Sequence, residues 1–276
     1  MNDARASDVL VVGGGPAGSV TRRCCWRAPA RVTLLDRATF PRDKPCAEYL
    51  SPGALAALHE IGAGRPGRGR RRSAVDPVPA ERLRPRVHAR PLGGAPHWPN
   101  IPAHGLGLRR ATLDAFLLTM ARGAGVRCTR TSALLTCSAR TRRVTGVRAL
   151  GPDGPLTRRA AIVVGADGVN GIVGRRLAMT ALRSDLRRFA LVGHMRGIAG
   201  LGDCGEMHVG PAGLRHRPAR PRRGQTWRWC CRHEPAGGPA ATWPGSSRAL
   251  LEFTDLARAA RSAKLLEPPL QPVRSP

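Results

Sequence analysis

The run Asp8-Val9-Leu10-Val11-Val12 passes without a break into Gly13-Gly14-Gly15-Pro16-Ala17-Gly18. A short apolar, β-branched run ending in glycines reads as a buried strand followed by a tight turn. The G-x-G-x-x-G spacing gives each glycine a separate task. Gly13 permits the turn, Gly15 lets the backbone approach a pyrophosphate, and Gly18 allows a helix to pack closely on the strand. A second strand is predicted at Arg31–Asp36 (RVTLLD), and Asp36 lies eighteen residues beyond Gly18. A carboxylate at that point accepts hydrogen bonds from a ribose. A lone glycine motif is also compatible with an ordinary turn, but two strands and the acid in register point to dinucleotide binding.

The rest of the chain alternates between ordered and irregular texture. Between the two strands a helix should close a βαβ unit, yet the residues there read TRRCCWRAP, with weak amphipathicity and an internal Pro29. Pro52–Gly62 predicts a short helix. Thr112–Gly123 predicts another, with Thr112 as N-cap and Leu113, Phe116, Leu117 and Met120 on one face. Strands are expected at Val144–Leu150, at Ala161–Val164 before Gly165-Ala166-Asp167-Gly168, at Leu191–Ile198 and at Glu206–Val209. Ala249–Leu266 has a helical pattern.

Charge is the unusual quantity. The 276 residues carry 46 basic and 18 acidic side chains, a net charge of +28. Such an excess suggests a nucleic acid or an anionic membrane. Only Lys44 and Lys264 are lysines, however, and ten aromatic residues offer little for bases to stack on. Codon bias in a GC-rich gene explains the arginines equally well, and no specific nucleic-acid partner is expected. No apolar run reaches the roughly 18–20 residues needed to span a bilayer, and the N-terminus lacks the pattern of a signal peptide. The eight cysteines include no CxxC pair or Cys/His spacing suited to zinc, so no metal site is expected and the thiols read as reduced in a cytoplasmic protein.

Four segments in order, DVLVVGGGPAGS, LLDRATFPRDKPCAEYLSPGAL, RRATLDAFL and VVGADGVNGIVGRRL, resemble the geranylgeranyl-reductase-like group of FAD-dependent oxidoreductases. These are relatives of the flavin monooxygenases and halogenases. The resemblance implies an α/β fold: a three-layer, Rossmann-like FAD/NAD(P)-binding domain with the start of a β-rich substrate domain. It divides the chain into a first part of the FAD-binding domain (1–62), an irregular basic insertion (63–104), a second part (105–178) and a partial substrate domain (179–276). It also implies FAD as cofactor and NAD(P)H as electron donor. The flavin would pass a hydride to a double bond of a small apolar or isoprenoid-like substrate, with peripheral membrane association if the substrate is isoprenoid.

Residue by residue, the resemblance puts Gly13, Gly15 and Gly18, with Pro16 and Ala17 between them, on the FAD pyrophosphate. It puts Asp36, with Arg37 beside it, at the adenosine ribose. Arg42 of FPRDKPC and Arg110 of the R-x-x-L-D pattern would line the flavin cleft, and Gly165, Asp167 and Gly168 match the family's DG motif. Cys46 matches a cysteine near the flavin ring and is the catalytic candidate. Each has a plainer alternative: Asp167 as a turn former, Arg110 as a solvated helix-start residue, Cys46 as a small buried hydrophobe. Trp227-Arg228-Trp229 reproduces half of the halogenase W-x-W-x-I-P motif, but Cys230, Cys231 and Arg232 follow, which argues against a halogenase.

Residues 20–31, 62–100 and 213–247 all break the expected pattern. Gly62–Asn100 and Leu214–Arg248 each carry a net +7. A GC-rich spelling of LLARAGA read one base late gives Cys25–Arg31, and Thr226–Arg232 read two bases late contains VAVVLP, a better strand. The expectation is therefore that these stretches are frameshifted. The later Gly-Asp motif implied by the resemblance does not occur after Gly210, so the chain as written is expected to bind FAD poorly. An aromatic monooxygenase, an inactive remnant and a basic nucleic-acid-binding protein are the alternatives.

Overall fold

In the computed structural model, described for residues 7–24, 30–46, 48–63, 106–131, 133–140, 143–181, 188–196, 206–210, 213–217, 225–232 and 264–265, the DVLVV run is the central strand of a sheet. β1 (Ser7–Val12) is flanked in parallel by β2 (Val32–Asp36) and by the second half of β8 (Gly154–Gly165). β5 (Arg127–Arg130) extends the sheet beyond β2. A strand in this position is covered on both faces, which is why the sequence is apolar at consecutive positions rather than alternating. Val9 and Val11 join Val32, Leu34, Leu118, Ala121 and Val126 on one face. Leu10 and Val12 join Leu35, Val147, Ala160 and Val173 on the other. Each such side chain, fully buried, contributes about 1.5–3 kcal/mol relative to exposure.

Three layers result. One face carries α1 (Pro16–Cys24) packed against α3 (Arg110–Gly123). On the other face lie α4 (Ile172–Arg176) and the antiparallel strands β6 (Ala133–Arg140) and β7 (Arg143–Gly151). β8 serves both sheets: its first residues pair with β7 and its last with β1. Between β2 and α3 come β3 (Tyr49–Leu50), α2 (Pro52–Glu60) and β4 (Leu106–Gly107), with β3 and β4 paired. A second sheet is antiparallel, in the order β10 (Glu206–Gly210), β11 (Gly213–Arg217), β12 (Gln225–Arg232), β9 (Arg188–Arg196), β13 (Lys264–Leu265). The fold class is the α/β, Rossmann-like one expected from the sequence, with a β-rich second part.

Several expectations need correction. α1 does form, from Pro16 through the unpromising Thr21–Cys24, so the local signal yields to packing against α3. α3 begins at Arg110, and its N-cap Arg109 makes no side-chain cap bond, so Thr112 is inside the helix. The face α3 buries is Leu113, Asp114, Leu117, Leu118 and Ala121, while Phe116 and Met120 are only half-buried. Thr226–Arg232, for which a shifted frame offered the better strand, lies within a strand as written, β12, which pairs with β9 at eight consecutive positions. Lys264–Leu265 is extended rather than helical. The basic stretch 64–100, residues 25–29 and the remainder of 249–266 lie outside the described residues.

Candidate functional site

The strand order places β1 between a strand reached early (β2) and one reached late (β8). In open α/β sheets the crevice beyond the C-terminal ends of the strands at such a switch point is where ligands bind. The glycine turn sits there. Gly13 has φ +105°, a left-handed value that favours glycine. Its N–H donates to Leu35 O at 2.8 Å, and a Cβ on it would collide with the Ala166 backbone, so the turn after β1 rests directly on the turn after β8. Gly15, Pro16, Ala17 and Gly18 open α1, whose first N–H groups have no partner within the helix.

Asp36, at the end of β2, accepts from the Gly14 N–H and, at 2.6 Å, from the Ala38 N–H. Both bonds aim its carboxylate at the glycine turn. Arg37 next to it is exposed. The chain then crosses the crevice as a strap. Arg42 stacks over Phe40, 5.1 Å from the ring centroid, and its Nη2 lies 3.5 Å from where a Cβ on Gly15 would stand. Lys44 Nζ stands 3.3 Å from the equivalent point on Gly168. Two cations of one loop thus reach the two glycine turns.

Asp114 organises the cluster. It is fully buried, takes two bonds from Arg110 at 2.7 and 2.8 Å, and pairs with Arg42 at 3.4 Å. The Cys46 sulfur is close enough to Arg110 to act on its charge. Burial opposes the charge on Arg110, but the bonds to Asp114 and then the nearby Cys46 outweigh it and raise its pKa. Lys44 goes the other way: burial, then repulsion from Arg110 and Arg42, lower its pKa, with Asp114 and Cys46 opposing. Three cations around one internal carboxylate leave an excess of positive charge at the crevice. Asp167, on the turn after β8, accepts from Ile172 N at 2.6 Å and Val173 N at 3.1 Å, capping α4. Gly165 lies against Val173, and Gly168 is left-handed at φ +87°.

Residues 6–201 match the family of FAD binding domains. The chain belongs to that family. This FAD-binding chain is 32% identical over 196 residues to the menaquinone reductase of Mycobacterium tuberculosis, covering 69% of the chain and 44% of the relative. It is 33% identical over 169 residues to digeranylgeranylglycerophospholipid reductase 1 of Methanopyrus kandleri, covering 61% and 41%. It therefore spans less than half the length of these relatives. Its fold is similar to that of a geranylgeranyl bacteriochlorophyll reductase-like protein from Thermoplasma acidophilum, with a TM-score of 0.70 at 18% identity over 96% of the chain and 66% of that structure. The geranylgeranyl-reductase-like resemblance read from the motifs is thus supported.

The residues present fit FAD. Arg42 Nε is buried with no hydrogen-bond partner among the described residues, beside the glycine turn, and a buried donor left over at an electropositive site calls for an acceptor. The motifs indicated Gly13, Gly15, Gly18, Asp36, Arg42, Cys46, Arg110, Asp167 and Gly168, and the fold brings these to the same end of the parallel sheet. Asp167 does act as a turn former, through its cap. Arg110 is not solvated, because its charge is used on buried Asp114. Sequence reasoning missed Lys44, Asp114, Glu48 and His194. Asp114 had a usable signal in Arg110-x-x-x-Asp114, since an i,i+4 spacing puts both on one helix face. Glu48 and His194 are 146 residues apart and had none.

Proposed function

We propose that this protein is an FAD-dependent reductase that saturates a carbon–carbon double bond in an isoprenoid-like apolar substrate, with NAD(P)H as the electron donor. The observation that carries the reading is the cationic strap, Arg42 and Lys44, laid across two glycine turns at the switch point of the sheet with Arg110 beside it. The names of the two reductase relatives support the substrate class, one of them acting on geranylgeranyl groups by name.

FAD, when bound, would supply the two-electron hydride chemistry that, together with one proton, reduces a double bond. The protein's residues would hold it. Gly15 and Gly18, with Pro16 and Ala17 between them, open the helix whose N–H groups and dipole favour a pyrophosphate. Arg42 adds a charged donor at Gly15. Asp36 takes the ribose hydroxyls with its remaining lone pairs, beside Arg37. Gly165, Asp167 and Gly168 shape the facing turn. Cys46, near Arg110, is the proposed catalytic residue, a thiol at the edge of the cleft. Residues 1–62 and 105–178 would form the cofactor domain, 63–104 an insertion between them, and 179–276, with the second sheet, the substrate side. Among the described residues no helix is long and apolar enough to cross a membrane, and an isoprenoid substrate would be met at the membrane surface from the cytoplasm.

The test has two parts. FAD is titrated into the purified chain and into Arg42→Ala by flavin fluorescence. NADPH oxidation is then followed without oxygen in the presence of an isoprenoid quinone, with mass spectrometry of the product. Binding weakened about tenfold in the variant, as expected for one charge-assisted bond, and a product heavier by two hydrogens support the reading. Unchanged affinity in Arg42→Ala, or NADPH oxidation only with oxygen and a hydroxylated product, overturns it.

A further inference from the structure

Glu48 is a buried carboxylate, 4% exposed, and the backbone that carries it is left-handed at φ +54°. A residue with a Cβ pays for that conformation, and glycine would not. Its side chain is what the position uses. Oε1 accepts from the Arg110 N–H at 3.2 Å, Oε2 meets His194 Nε2 at 2.9 Å, and the Glu48 carbonyl accepts from Leu108 N at 2.8 Å. Three segments distant in sequence therefore meet at one residue: the strap, the start of α3 and β9 of the second sheet.

The first of these bonds replaces something α3 lacks. Arg109 at the N-cap provides no side-chain acceptor, so the orphan N–H at the helix start is met by a carboxylate 62 residues earlier. The helix dipole favours a negative charge there. With Glu48 ionised, an oxygen can only accept, so His194 Nε2 carries the hydrogen. His194 is itself 4% exposed, so the contact is shielded from water.

Cys46 lies two residues before Glu48 and Lys44 four before it, while Arg110 is both the residue capped by Glu48 and the partner of Asp114. We infer that Glu48 is a positioning residue and that His194 is its anchor. Through this pair the second sheet holds the strap and the head of α3 in register, and so sets where Lys44, Cys46 and Arg110 stand at the cofactor cleft. The inference rests on the cleft assigned above, but its test uses no flavin, so a chain that fails to bind FAD leaves it standing.

The experiment is alkylation of the flavin-free protein with iodoacetamide, with peptide mass spectrometry resolving Cys46 from Cys128 and Cys137, which lie in β5 and β6. His194→Phe removes the donor and keeps a ring. The expected result is a change in the Cys46 rate of about tenfold, the effect of one bond to a charged group on local opening. The Cys128 and Cys137 rates should hold. His194→Gln, whose amide can donate to the same oxygen, should return Cys46 toward the parent rate. Glu48→Ala should reproduce His194→Phe at Cys46. An unchanged Cys46 rate in His194→Phe refutes the inference. So does a parallel rise at all three cysteines, which would mean that the pair only stabilises the fold, or a failure of His194→Gln to restore the rate.

Discussion

Replacing Gly18 by alanine tests the whole reading of the glycine turn at one atom. In an isolated helix the change would help, because alanine exceeds glycine in helix propensity by about 1 kcal/mol. In this structure a Cβ on Gly18 would overlap the Gly13 carbonyl oxygen, stand 3.0 Å from its carbon and 3.2 Å from Val11 Cγ1. The obstacle is backbone, held by the bond from Gly13 N to Leu35 O, so it cannot swing aside. α1 must retreat by roughly 1 Å, and a gap of that size forfeits a quarter to a half of each dispersion contact it opens. Overpacking of this kind costs about 1–3 kcal/mol, and a rigid obstacle puts it at the upper end. After the propensity gain, the net loss is about 2 kcal/mol, or about 4–8 °C in Tm for a domain of this size. FAD affinity should fall with it, because the first turn of α1 is what moves. Gly53 is the control: it is also near a helix start, and a Cβ there meets nothing within 4 Å. Gly53→Ala should gain about 0.5 kcal/mol. Urea unfolding of both variants, with FAD titration, decides the matter. If Gly18→Ala lies within about 0.5 kcal/mol of the parent, the close approach of α1 to β1 is not what demands glycine.

Three further outcomes follow from the cluster. Asp114→Asn leaves the Arg110 and Arg42 guanidinium groups without their buried countercharge and should cost about 3 kcal/mol in urea unfolding, whereas Asp8→Asn at the exposed Arg31 pair should leave the midpoint unchanged. Asp167→Ala removes the acceptor for Ile172 and Val173 and should cost about 1 kcal/mol, with Asp167→Asn losing less because it keeps one oxygen. Lys44 has a folded pKa below 10.5, so between the two values the unfolded chain binds more protons and stability rises with pH toward 10.5. Lys44→Met should remove that part of the rise, and equal slopes for parent and variant in urea midpoints across the alkaline range would contradict the burial of Lys44.

The strand–turn–helix unit, its three glycines and Asp36 were legible because they obey local rules. An apolar run doubly buried, a turn needing left-handed backbone at Gly13 and a carboxylate at a strand end each leave a mark within a few residues. The same holds for Asp167, whose turn-forming alternative is the cap seen on α4. Thr112 shows where local rules stop. It is a good N-cap type at a plausible position, yet α3 starts two residues earlier because Glu48, from another segment, satisfies the first N–H.

The second sheet makes the point more strongly. QTWRWCCR has no strand-like alternation, but eight ladder positions against β9 hold it extended, and pairing partners outweigh intrinsic preference in sheets. By itself the sequence determined the strand–turn–helix unit, the dinucleotide class of the cofactor and the candidacy of Arg42, since those depend on residues close together along the chain. Only the tertiary structure decided that Asp114 neutralises two arginines, that Lys44 faces the second glycine turn and that Glu48 joins α3 to β9. These contacts rest on partners in separate segments of the chain. Their energy comes from burial, which exists only once the sheets and helices have closed on one another.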